Sequence, residues 1–472
     1  MNVAFFEKNK NRIYTLVLSL LTALFIYSCF QRDINVDDAW LADPTFWHAE
    51  EGIIRSEALR GWEKAEVQLF ATHKLWVLSG SLITKVFGYG VYPLKSLSCL
   101  YLIALLLTWV YFLNYWRVGS NTKWLFATLF LSNSFFFEYG FIYRPDIALA
   151  FYTSWIFFFL NTYLQNNNKM LIVVSGLIGA IALGHHLNGV VIIGAGVFLL
   201  ASRKKTWALL AFGSLASLGF AIHLSDVRSI ADLHQFGTQL FNTQDMRGDQ
   251  SALRYIWNLL DEQRRYLHSP REASVTLLLL GTLFIARKDI WLRYRDMVVF
   301  IGSLALLLAL IAHGKTSKYL ILMMPFFLFW ISFYAAKTFK SKKVAWITLL
   351  TLYFAFQMTR NIEISRSKDT RTQTLQSLTK EIPNGSTLLG PMEGVFFAWD
   401  KYRYQAFEVY EIFELRKVIT YDKPTLLKML NEFGTDAFIL TPRMRKNFGA
   451  TEEPYGPYKF IRQEGEYSLY RR

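Results

Sequence analysis

Apolar blocks long enough to cross a bilayer recur through most of this 472-residue chain. A chain of that kind is driven toward a polytopic helical membrane fold, because a helix satisfies its own backbone where water is absent. Hydrophobic residues make up 53% of the sequence and mean hydropathy is +0.22, more apolar than ordinary soluble domains. The blocks predict spanning helices near Ile13–Phe30, Pro93–Tyr115, Lys123–Phe137, Ile147–Leu164, Met170–Leu183, Val190–Ala201, Trp207–His223, Ala273–Ala286, Met297–Ala312, Tyr319–Ala336 and Val344–Met358. That is about eleven segments near the length a hydrocarbon core requires. The run Leu75–Phe87 is apolar but short and carries Lys85, so it reads as interfacial or re-entrant.

Charge placement orients these segments. The net charge of +15 lies mostly in short clusters: Arg117 with Lys123, Lys169, Arg203 to Lys205, Arg287 to Arg295, and Lys337 to Lys343. Alternate threading puts every one of these clusters on the cytoplasmic side, as the positive-inside rule requires. Counting Leu75–Phe87 as a span would invert all of them. No basic stripe forms on one face, so nucleic-acid binding is not implied. Cys29 and Cys99 both sit in apolar segments, which argues against a disulfide framework or a zinc site. Lys8, Lys10 and Arg12 precede a long apolar run with no small-x-small cleavage signal, predicting an uncleaved first helix with a cytoplasmic N-terminus.

The same threading sends the polar loops to the outer face. A long first external loop (31–92) opens with the adjacent acids Asp37 and Asp38, and its stretch Ala49–Phe70 has the mixed pattern of interfacial amphipathic helices. A second long loop (225–272) contains apolar residues at helical spacing over Ala252–Leu267. The expected membrane domain is 1–358. Residues 359–472 are mostly polar and predict an external α/β domain: a helix over Asp369–Ile382, a strand over Ser386–Leu389, a helix over Lys423–Phe433 stopped by Gly434, and strands at Ala437–Thr441 and Tyr467–Tyr470. The expected fold class is therefore mainly α, with about eleven membrane helices and a small C-terminal α/β domain.

The order and sidedness of several short features carry a resemblance. These are the outward pair in Asp37-Asp38-Ala39, the long interfacial first loop, Arg144-Pro145-Asp146 at the outer start of a helix, and Lys318-Tyr319 leading to Leu322 and Pro325. Together they resemble the GT-C membrane glycosyltransferases, in the branch that includes protein O-mannosyltransferases and aminoarabinose transferases. The resemblance implies transfer of a sugar from a polyprenyl-phosphate carrier to a lipid, glycan or protein acceptor outside the membrane, in bacteria from the inner membrane into the periplasm. It places Asp37 as the catalytic or acceptor-orienting acid of the first loop, Asp38 where relatives have Asp or Glu, and Asp146 as the acid of the second external loop. Such chemistry needs a proton acceptor and a carboxylate to stabilise an oxocarbenium-like state, and positive charge on the departing phosphate. Arg144, Lys315 and Lys318, with His185 and His186, are the groups that would supply that charge. A divalent metal is compatible with the carboxylates, although no ligand spacing demands one. The sequence departs from the resemblance where Ala71-Thr72-His73-Lys74-Leu75-Trp76 replaces a paired-proline motif, and where Lys318 stands in place of a frequent arginine.

Each residue also admits a structural role. Arg144 and Asp146 form a natural ion pair at a helix start, the histidines suit a water-bonded helix end, and the outer lysines suit lipid headgroups. The rival reading of the whole chain is a polyprenyl-lipid or polysaccharide transporter. That reading predicts polar residues lining the middles of several helices.

Overall fold

The computed structural model describes residues 3–241, 252–311, 316–367, 370–409, 422–448 and 454–472. Packing divides the chain into two units: Met1–Arg32, Ser98–Ile222 and Gly248–Ser367 in one, and Asp33–Leu97, His223–Arg247 and Lys368–Arg472 in the other. The first is helical throughout. The second joins short helices to a five-stranded sheet.

Every apolar block predicted to span holds a helix. Among the described residues four of these are long and apolar enough to cross a membrane unaided: Asn11–Cys29, Val91–Tyr115, Asp146–Asn166 and Thr206–His223. Pro270–Arg293 and Arg295–Ile311 meet that measure as a pair but turn by 112° where they join, and Met170–His185 and Gly189–Ser202 are apolar but shorter. Boundaries move in three places. Pro270–Arg293 continues through Arg287 and Lys288, which the sequence had placed in a loop, and Lys343–Arg366 runs past Met358. The block at Lys123–Phe137 is cut at Asn133 into Ser120–Ser132 and Ser134–Tyr139.

That cut has a clear cause. Asn133 accepts hydrogen bonds from the Phe135 and Phe136 N–H groups at 3.1 and 3.4 Å, ending one helix and capping the next. Gln357, fully buried on Lys343–Arg366, accepts from the Ser134 N–H (2.8 Å) and hydroxyl (2.6 Å). Its amide donates to the Arg271 carbonyl and the Ser274 hydroxyl, both at 2.9 Å. In an apolar body, backbone groups released by a break must find such partners. Aromatic packing fills the rest. Trp109 stacks on Phe126 and meets Phe326 edge-on, its N–H donates to Ser154 at 2.9 Å, and Phe112 stacks on Phe158 with centroids 4.2 Å apart.

In the second unit, helix Val36–Glu51 packs on Lys74–Phe87. His48 and the Thr45 carbonyl both bond Ser81, at 2.8 and 3.2 Å. The 14 residues of Lys74–Phe87 rise only about 21 Å, too short to span, in keeping with its reading from sequence. The expectation of amphipathic helix through Ala49–Phe70 is corrected: Gly52, at φ 74°, ends the first helix, and 52–73 is built from turns. Gly61, Glu63 and Lys64 also adopt positive φ, which no helix tolerates. Most apolar residues of this stretch face inward, with Ile53 and Val67 left exposed. Ile54, Leu59, Trp62 and Leu69 are buried, and Ile54 and Leu69 close the loop through a backbone bond of 2.8 Å. Gln239 of helix Ile230–Phe241 secures the loop's end, accepting from the Phe70 and Ala71 N–H groups and donating to the Glu63 and Gln68 carbonyls.

The C-terminal sheet comprises β1 (Thr387–Gly390), β2 (Arg403–Ala406), β3 (Ala437–Leu440), β4 (Lys459–Glu464) and β5 (Tyr467–Arg471), in the order β2-β1-β3-β5-β4. β1 runs parallel to β2 and β3, while β5 runs antiparallel to β3 and β4. Its core holds Leu389, Leu426, Leu430, Phe438, Tyr458 and Tyr470. Three strands and both helices stand where the sequence puts them; β2 and β4 were not foreseen. The first loop covers the β2 edge, with the Ala406 N–H donating to the Ala58 carbonyl (2.9 Å) and Gln405 to the Arg60 carbonyl (2.8 Å). An edge strand is thereby paired rather than left open.

Asp43 clamps this loop to its helix. Almost fully buried, it accepts from the Ser56 hydroxyl (2.5 Å), the Ala58 N–H (3.2 Å) and the Trp47 indole (3.2 Å). Burial nevertheless raises its carboxyl from the usual 3.8 to about 6. Between those values the folded chain keeps a proton the unfolded chain has lost, so stability falls as pH rises through the window. The loss amounts to about 3 kcal/mol. Thermal unfolding of the purified protein from pH 4 to 7 should show this decline, and Asp43→Asn should flatten it. An unchanged slope in the variant would contradict the assignment.

Candidate functional site

Asn35 starts the acidic helix of the second unit. Its side chain accepts from the Asp37 N–H at 2.9 Å, while the Asp38 carboxylate accepts from the Asn35 N–H at 2.8 Å. This reciprocal cap sets the two acids in different environments. Asp38 is fully buried and paired with the equally buried Lys95 at 3.0 Å, whose ammonium also donates to the Asp33 carbonyl at 3.1 Å. Asp37 remains half-buried and enters the cap through its backbone. The cap and the ion pair both engage the Asp38 carboxylate. Asp37 sits one residue nearer the helix N-terminus, where the backbone dipole favours negative charge.

In the first unit Arg144 and Asp146 form the ion pair read from their spacing, Nε to Oδ2 at 2.7 Å, with both side chains buried. Pro145 caps helix Asp146–Asn166, and the Ser98 hydroxyl ties down the Ile142 carbonyl before it. Lys318 lies on the 3-10 turn Ser317–Leu322, which packs against helices Asp146–Asn166, Ser134–Tyr139 and Gln263–Leu267. Its ammonium stands 5.6 Å from the Tyr319 ring centre. Lys315 lies outside the described residues. The histidine pair separates in role. His185 bonds the Ile181 carbonyl (2.9 Å) and faces Tyr101 and Tyr152, whereas His186 accepts from the Asn188 N–H (2.9 Å). Both are buried, and these bonds are those of a helix terminus.

An ionic cluster that the sequence reading passed over adjoins the Lys318 turn. Arg271 pairs with Glu138 and, at 2.9 Å, with Glu272, and it donates to the Ser317 hydroxyl at 3.2 Å. Arg360 reaches Glu138 at 3.4 Å, and buried Arg265 pairs with Glu262 (2.6 Å) and donates to the Thr316 carbonyl (2.9 Å). Lys74 is buried against Asp226 at 2.8 Å. Its burial at a charged side chain is the signal the sequence withheld. Among the described residues, no three His, Cys, Asp or Glu side chains gather as a metal site.

The two acids should separate by stability. Asp38→Ala strands the buried Lys95 ammonium and opens the cap, a loss of about 3–5 kcal/mol. Asp37→Asn keeps the backbone cap and should change stability by less than about 0.5 kcal/mol. Thermal unfolding in detergent reads both, and equal losses would contradict the division of labour.

No family model and no curated protein matches the chain. Its fold is similar to that of ArnT from Cupriavidus metallidurans in the apo state, with a TM-score of 0.63 at 12% identity over 98% of each chain. The same ArnT bound to undecaprenyl phosphate gives 0.60 at 10% identity, again over 98% of each chain. The Archaeoglobus fulgidus oligosaccharyltransferase, in a complex with Zn and sulfate, gives 0.56 at 11% identity over 91% of this chain and 68% of that one. The chain is thus similar in fold to these membrane-protein structures over nearly its whole length.

Proposed function

We propose that this protein is an integral membrane glycosyltransferase that takes a sugar from a polyprenyl-phosphate carrier and passes it to an acceptor on the outer side of the membrane. The observation that carries the reading is the fold, shared end to end with an ArnT whose structure has been solved with undecaprenyl phosphate. Placement of the acids supports it: Asp37 and Asp146 both stand in the first turn of a helix. The buried polar groups Asn133 and Gln357 are occupied in holding a helix break, which favours an enzyme over a transporter with a polar path.

In the proposed reaction an acceptor hydroxyl attacks the anomeric carbon. The new C–O bond forms as the bond to the carrier phosphate breaks, with inversion in a single displacement. Asp37 takes the hydroxyl proton, and the phosphate leaves with the bonding electron pair. Lys318, with Arg144 and Lys315, neutralises that leaving group, and Arg271 beside Ser317 reinforces the positive charge. Asp146 holds Arg144 in place. His185 and His186 take a positioning role. The apolar helices, four of them among the described residues long enough to cross unaided, hold the protein in the membrane, and the C-terminal domain faces its outer side.

Asp37→Asn should lower transfer by about 100-fold or more while leaving the fold intact. Lys318→Ala should also weaken turnover. The assay follows release of carrier phosphate and appearance of the glycosylated acceptor in purified membranes. Turnover unchanged in a correctly inserted Asp37→Asn protein would remove that residue from the proposed role.

A further inference from the structure

The second unit contains a cleft of about 450 Å³ that the transfer reading does not use, within the size range of small-molecule sites. Three segments build it: helix Val36–Glu51, the turns that follow it, and Val395–Tyr404 of the C-terminal domain. Its walls are aromatic. Trp399 is 37% exposed and backed by Phe46 at 4.2 Å between centroids, and Trp47 of the acidic helix lines the cleft as well. Tyr402 and Tyr404 also line it, both largely buried, their hydroxyls donating to the Thr379 and Pro391 carbonyls.

Between those walls lies a fixed lattice of donors and acceptors. The Arg55 guanidinium lies 3.6 Å from the Trp47 ring centre, held by Glu51 at 2.7 Å and Glu57 at 3.1 Å. Arg60 pairs with the other oxygen of Glu57. Glu66 accepts from the Gly61 N–H at 3.1 Å. Lining guanidiniums (Arg55, Arg60, Arg403) and lining carboxylates (Asp43, Glu57, Glu66) are equal in number. An anion such as phosphate would meet Glu57 and Glu66 as well as the arginines. A lipid chain would leave the charged groups desolvated without partners. The ligand that suits both components carries many hydroxyls, each able to donate and accept, and flat C–H faces that pack on aromatic rings.

We propose that this cleft is a binding site for an uncharged saccharide unit, packed on Trp47 and Trp399 and hydrogen-bonded by the Arg55–Glu57–Arg60 lattice. The site belongs to the second unit alone and does not depend on the assignment of Asp37.

The test uses the full-length protein in nanodiscs with glucose, galactose, mannose and the chitobiose disaccharide as probes, and inorganic phosphate as the anionic control. Saturation-transfer NMR and quenching of tryptophan fluorescence report binding. At least one sugar should bind saturably in the millimolar range. Trp399→Ala and Glu66→Gln should each weaken it by about tenfold with thermal unfolding unchanged. Asp37→Asn should bind as the unaltered protein does, even where transfer is lost, which separates this site from the proposed chemistry. Failure of every probe sugar to bind, binding that survives both substitutions, or displacement of bound sugar by phosphate would each overturn the proposal.

Discussion

A polar backbone that leaves the helical path inside an apolar body must still be hydrogen-bonded, and much of the first unit follows from how this is met. Asn133 ends one helix and caps the next, and Gln357 from a distant helix reads the freed groups of Ser134 while donating to Arg271 and Ser274. One amide side chain thus ties the helix break to the segment bearing the Arg271–Glu138–Glu272 cluster. The ionic groups beside Lys318 are held by this connection as well as by their own charges. A low dielectric makes such a network stiff when complete and costly when any member is removed.

The acidic pair obeys the same economy of partners. Two adjacent aspartates at a helix start look equivalent in a sequence, but a capping box can use only the one three residues beyond the cap. Asp38 fills that position and meets Lys95, so its charge is spoken for. The two acids, adjacent in sequence, therefore stand in different surroundings.

In the second unit, the loop after Gly52 shows how pattern reading fails. Its apolar residues recur at intervals compatible with a helix, yet the positive-φ positions at Gly61, Glu63 and Lys64 fold it into turns. What the spacing recorded was burial beneath a loop that covers the edge of β2, with Asp43 as the buried clamp. Beyond Trp47, one helical turn away, nothing near Asp43 in sequence announces its partners, because Ser56 and Ala58 reach it only after the chain reverses.

The hydrophobic blocks and the polar C-terminal quarter were legible in the sequence, since solvent and bilayer act on each segment alone. So were the Arg144–Asp146 pair, two residues apart, and the helix that Asp146 opens. Tertiary structure decided the rest: which of Asp37 and Asp38 is committed to packing, that Lys74 and Lys95 are buried ion-pair partners, that Arg271 stands beside Ser317, and that aromatic and charged residues far apart in the chain line one cleft. The reason is physical. Local propensity and transfer free energy are properties of a segment, whereas the partner of a buried charge is a property of the fold that brings it there.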